Sequence, residues 1–147
     1  MLAGLARAVN WIERRLERLE AQETPRFVPL TTALTSASWD GDSFSDTVLT
    51  VIDLSAVFSV PPAVKAVLLT VQMRDSGSVG TRTYVAFGPN NAVPVSLIAE
   101  STGLPNDTLV SAEGIVPCDA NGDLYYAVEA SGVGTLDVWV WVWGYWR

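Results

Sequence analysis

The 147 residues suffice for one domain of ordinary size plus an appendage, and with 49% of them hydrophobic a buried core is assured. Histidine is absent and cysteine occurs once, as Cys118, which excludes Ser/His and Cys/His nucleophile pairs, zinc-type His/Cys clusters, imidazole acid–base chemistry and an intramolecular disulfide. The net charge of −7 falls beyond residue 23, because Arg7, Arg14, Arg15 and Arg18 cancel Glu13, Glu17, Glu20 and Glu23; so acidic a remainder repels phosphate backbones and argues against nucleic acid as a partner.

The chain opens on an apolar repeat at Leu2, Leu5, Val9, Ile12, Leu16 and Leu19, spaced alternately three and four residues apart. That is the 3.5-residue period of a coiled coil, narrower than the stripe of a surface helix. With Leu2, Val9 and Leu16 at a and Leu5, Ile12 and Leu19 at d, Arg15 at g lies opposite Glu20 at e of a neighbouring chain. Leu at two a positions and Ile12 at d point to three or more strands rather than two, and of these a homotrimer is expected. The alternative is a helix that packs antiparallel on its own domain. No run reaches the roughly 18 apolar residues of a membrane span, and Arg7 interrupts the opening where a signal peptide would be continuous. Membrane insertion is therefore not expected, and a reducing cytoplasm suits the lone thiol. Pro25 stops the helix near Gln22. Three heptads are marginal alone, so the following domain must help to hold the chains together.

From Arg26 onwards the apolar period changes to two, with turn signals about every ten residues. Strands are expected at Phe27 to Leu30, Thr47 to Asp53, Ala63 to Asp75, Thr81 to Gly88, Val95 to Glu100, Thr108 to Val116, Asp123 to Ser131 and Thr135 to Trp146. About eight strands with no second helix suggest a mainly β fold, an antiparallel, jelly-roll-like β-sandwich. The expected division is a coiled-coil helix over 1–23, a linker or arm over 24–37 and a sandwich head over 38–147. In the last strand Leu136, Val138, Val140 and Val142 fall on one face, and Asp137, Trp139, Trp141, Trp143 and Tyr145 on the other. A strand apolar on both faces needs cover on both. The second cover is read as a neighbouring subunit, with Trp139, Trp141 and Trp143 as the contact between heads, since aromatic residues are enriched in interface cores. The alternative is that Trp139, Trp141 and Trp143 form an exposed platform on which sugar rings stack.

Other constellations carry less. Gly41-Asp42-Ser43-Phe44 is similar to the opening motif of one serine-hydrolase family, but without histidine the serine lacks its usual base. Asp119-Ala120-Asn121-Gly122-Asp123 has the spacing of a calcium loop, yet Leu124 and Ala130 stand where glycine and glutamate are required, and a turn through Asn121-Gly122 is the simpler reading. Asn106-Asp107-Thr108 is a formal glycosylation acceptor without a secretory context. Asp40 and Asp42 flank a glycine beside Trp39; as a possible ligand-binding or glycan-cleaving group they are two residues apart in a turn, which does not set two carboxylates across a substrate. Gly132-Val133-Gly134 lacks the third glycine of a phosphate cradle, and Cys118 reads as an apolar filler.

Several stretches are familiar together: Ser38-Trp39-Asp40-Gly41-Asp42, then Phe58-Ser59-Val60-Pro61 with Ala63-Val64-Lys65-Ala66-Val67-Leu68-Leu69, Arg74-Asp75-Ser76, Val116-Pro117-Cys118-Asp119 with Asn121-Gly122-Asp123, and the terminal Trp143-Gly144-Tyr145-Trp146. The pattern resembles small proteins encoded among the structural genes of tailed bacteriophages. The layout of a short coiled coil before a β-sandwich head also looks like trimeric tail-fibre, head-spike and capsid-decoration proteins. The resemblance implies a non-enzymatic virion component, assembled in the host cytoplasm, whose head binds either other virion proteins or a host receptor such as a cell-surface glycan. It carries no catalytic residue, cofactor or metal. A carbohydrate-binding module or lectin acting outside any virion is the alternative.

Overall fold

The computed structural model describes residues 10–15, 24–36, 39, 41, 46–92 and 95–147. Among them eight strands are formed: β1 (Phe27–Leu34), β2 (Asp46–Ile52), β3 (Ala66–Asp75), β4 (Tyr84–Gly88), β5 (Leu97–Glu100), β6 (Val110–Pro117), β7 (Leu124–Glu129) and β8 (Leu136–Trp146). Their antiparallel pairings nest, β4 with β5, β3 with β6, β2 with β7 and β1 with β8, as in one long hairpin folded about the β4–β5 turn. Rolling that hairpin up adds the pairs β3 with β8 and β4 with β7. Two four-stranded sheets result, ordered β1-β8-β3-β6 and β2-β7-β4-β5, which is jelly-roll winding.

The period-two pattern explains the core. Along β3 the buried positions Val67, Leu69, Val71, Met73 and Asp75 alternate with less buried ones. Facing them from the second sheet are Val85, Phe87, Leu124, Tyr126 and Val128, all within one apolar cluster. The stretch 24–37, read as an arm, carries β1, which pairs with the C-terminal half of β8 as an edge strand; Pro29 is tolerated there because an edge need not donate on both sides. Residues 10–15 are helical, and Ile12, the one seam residue among the described residues, is 49% exposed. Leu2, Leu5, Val9, Leu16 and Leu19 lie outside the described residues.

Two expectations require correction. A second helix does form, at Leu54–Phe58: the Asp53 carboxylate accepts the Ala56 N–H at 2.9 Å, Ser59 closes the turn at φ 59°, and Leu54 and Phe58, one turn apart, are buried. Five residues are too few to show helical periodicity. Tyr145 does not share the face of the tryptophans. Leu69 pairs with Val142 but Leu68 pairs with Gly144, so Trp143 is an extra residue, a β-bulge, and the alternation reverses after it. Tyr145 therefore points into the core, while Gly144 faces outward beneath Phe27, whose ring would lie 2.5 Å from any Cβ there.

Polar ties close the ends of the roll. Asp75, fully buried at the end of β3, accepts the Gly77 N–H at 2.7 Å, the Ser131 N–H at 3.0 Å, the Thr135 hydroxyl at 3.0 Å and the Ser131 hydroxyl. At the other end Ala63 N–H donates to Asn121 O at 3.0 Å; a Cβ at Gly122, where φ is +92°, would sit 2.7 Å from Ala63 N. Next to it Cys118 is half-buried and its thiol is pushed up to about 12, by burial and by the neighbouring Asp119 and Asp123.

Burial alone would raise the Asp75 carboxyl, but the hydrogen bonds from Ser131, Gly77 and Thr135 outweigh it and hold it below its ordinary value. A depressed folded-state value contributes stability above the unfolded-state value and loses it as pH falls through the folded one. Asp75→Ala, which orphans buried donors, should cost about 3 kcal/mol in urea unfolding at neutral pH, and the cost should shrink in acid below about pH 4. Alkylation of Cys118 by iodoacetamide at pH 8 should be slower in the native protein than in urea by on the order of a hundredfold or more.

Candidate functional site

The outward face of the sheet β1-β8-β3-β6 can be laid out row by row from its register. At the end where β1 begins, one row holds Phe27, Trp146, Ala66 and Pro117, and the next holds Pro29, Gly144, Leu68 and Ile115. Trp143, expelled by the bulge, lies beside them. The Phe27 and Trp146 rings pack with centroids 4.4 Å apart. This end has no charged side chain in its rows, yet Phe27 is 37%, Trp143 40% and Ile115 55% exposed.

The remaining rows alternate aromatic and polar groups. Trp141 lies across from Thr70 and Glu113, Trp139 across from Gln72 and Ser111, and Asp137 across from Arg74. Thr70 Oγ1 donates to Glu113 Oε2 at 3.2 Å, and Arg74 Nε donates to Asp137 Oδ2 at 2.6 Å. The Arg74 guanidinium also stands 5.6 Å from the centre of the Trp139 ring, so the ion pair steadies that indole. Two grooves run between these side chains. One of about 320 Å³ is lined by Gln72, Arg74, Asp107, Leu109, Trp139 and Trp141, and one of about 380 Å³ by Thr70, Gln72, Glu113, Trp141 and Trp143. Trp139 is 38% exposed, whereas Trp141, the ridge shared by both grooves, is half-buried.

The structure thus brings Trp139, Trp141 and Trp143 together on one face and adds partners that the sequence did not single out. Thr70, Gln72, Arg74 and Glu113 are outward positions of strands correctly located from their alternation. What linked them to the tryptophans is the β3–β8 register, which no local pattern states. Trp39 borders a further small cavity, of about 100 Å³, which it shares with Ser36, Phe58, Trp139 and Trp141. Its ring packs 6.0 Å from Phe58 and edge-on to Tyr126 at 5.3 Å, over Gly41, where a Cβ would fall 2.2 Å from the indole. Asp40 and Asp42 lie outside the described residues.

The acidic loop spends its carboxylates on the backbone. Asp119 Oδ1 accepts the N–H groups of Asn121 at 2.8 Å and Asp123 at 2.9 Å, and Asp123 Oδ1 accepts that of Leu54 at 3.2 Å. Burial, with repulsion from Asp53 and Asp119, raises the Asp123 carboxyl despite the Leu54 hydrogen bond. Asn106, the formal glycosylation acceptor, takes the Val79 N–H on its side-chain oxygen at 3.2 Å. Among the described residues no group of three or more His, Cys, Asp or Glu could hold a metal ion, and no helix is long and apolar enough to cross a membrane.

No protein-family model matches the chain, and no curated protein matches its sequence. Solved structures similar to it include the coat protein of Tobacco streak virus, at 7% identity over 85% of this chain and 87% of that one with a TM-score of 0.40. They also include a structure of Desmodium yellow mottle tymovirus, at 13% identity over 84% and 86% with a TM-score of 0.37, and a nora virus structure, at 12% identity over 84% and 55% with a TM-score of 0.32. At such scores the likeness carries no argument about function, which has to come from the chain's own surfaces.

Proposed function

We propose that the chain is a non-enzymatic structural and attachment protein of a phage virion, a homotrimer of the fibre, spike or capsid-decoration type that acts by binding. The observation that carries this reading is the aromatic end of the sheet β1-β8-β3-β6, whose outward rows hold no charged side chain although Arg26, Lys65 and Arg147 border it, placed where the N-terminal segment joins β1 at Phe27. Interface cores are enriched in aromatic residues and depleted of charge, and an exposed apolar surface of this kind is a liability in a free monomer. Three helices zipped through Leu2, Leu5, Val9, Ile12, Leu16 and Leu19 would deliver three such ends to a common axis. Phe27, Trp143 and Ile115 then meet their counterparts, and the seam sets register and parallel direction. Jelly-roll winding occurs in viral coat domains and in lectins alike, so the winding agrees with this reading without selecting it. A carbohydrate-binding module acting outside any virion is the second reading, favoured by the polar rows around Trp139 and Trp141.

Sedimentation of the full chain at micromolar concentration should give a trimer, and a stable monomer would sink the proposal. The double substitution Phe27→Ser and Trp143→Ser should weaken self-association by about a hundredfold or more, since each removes a buried aromatic anchor. A chain truncated to begin at Thr24 should still associate through its heads.

A further inference from the structure

We infer that the groove between Trp139, Trp141 and Gln72 is a binding site for a neutral pyranose oligosaccharide, a reading that rests on the attachment half of the proposed function. Four features of the groove support it. Trp139 and Trp141 are two residues apart on one strand, hence about 6.8 Å along it, a step comparable to the repeat of linked pyranose rings. Apolar faces of sugar rings can stack on such indoles, whose steady orientation limits the entropy lost on binding. Arg74, paired with Asp137, stands 5.6 Å from the centre of the Trp139 ring and favours that orientation of the indole.

Hydroxyl recognition is supplied by Gln72. Its half-buried amide makes no hydrogen bond among the described residues, although it sits directly across from Trp139 and lines both grooves. An amide offers donors and an acceptor together, which matches sugar hydroxyls that do both. Charge selects the ligand class. Asp107, Asp137 and Glu113 stand around the grooves against the single guanidinium of Arg74, which Asp137 already engages. That balance repels sialylated, sulfated or phosphorylated glycans and leaves neutral ones. A subunit interface is a poorer occupant of this half of the face, because interface cores are depleted of the charges found here.

The test uses the full chain. Cellotetraose, chitotetraose and maltotetraose are titrated with intrinsic tryptophan fluorescence as the readout, and sialyllactose serves as the anionic comparison. At least one neutral tetrasaccharide should give a saturable change and sialyllactose none. Gln72→Ala, Gln72→Glu and Trp139→Ala should each weaken binding at least about tenfold, with circular dichroism and sedimentation unchanged. A flat response to all three neutral sugars overturns the inference. So does equal binding of sialyllactose, or a Trp139→Ala variant that dissociates the assembly, which would put this half of the face between copies. A monomeric chain that binds a neutral sugar would overturn the trimer alone and leave this site standing.

Discussion

The structure depends on one strand being usable from both sides. β8 is hydrogen-bonded to β3 along its length and to β1 over its C-terminal half, so it is central wherever it has two neighbours. Its inward residues Val140 and Val142 belong to the core, and in a regular strand Gly144 would come next, leaving a gap where a side chain is needed. The bulge at Trp143 shifts the phase by one residue. Tyr145 then fills the core, and the small Gly144 turns outward, where the Phe27 ring can lie over it. A single inserted residue thus decides both the packing inside and the aromatic cluster outside.

Winding eight strands into two sheets joins residues far apart in sequence, and such pairing is slow and entropically costly to begin. The ends of the roll are secured by side chains that accept hydrogen bonds from loop and helix-end backbone. Asp75 binds the β7–β8 turn at one end, and at the other Asp53 caps the short helix while Asp123 reaches Leu54. These carboxylates have structural work that accounts for their positions. The acidic character of the sequence is therefore partly a consequence of how the loops are closed.

This division also explains what could be read from the sequence. Strands from β1 to β8 were visible because alternation and turn residues are local properties, and the jelly roll followed from their number and from the lack of long helical periods. The helix Leu54–Phe58 was not visible, although Asp53 before a Leu/Phe pair one turn apart was a usable signal. The orientation of Tyr145 could not be read, because a bulge breaks the period it would have been read from. The polar half of the tryptophan face was missed for a different reason. Gln72 and Arg74 are unremarkable on their own strand and acquire meaning only when the β3–β8 register sets them across from Trp139 and Asp137.

The two halves of that face make sense together if the protein attaches by many weak contacts. A shallow groove that stacks two rings and offers one amide cannot bind tightly; a millimolar dissociation constant corresponds to only about 4 kcal/mol. In the proposed trimer three such grooves would turn the second and third binding steps into intramolecular ones, and such linkage raises avidity by roughly a hundredfold to ten-thousandfold without any new contact. On this argument the apolar end near Phe27 and the mixed end near Trp139 are one device. In the proposed trimer the first would hold the heads together, with direction set by the helical seam, and the second would gain from being presented three times.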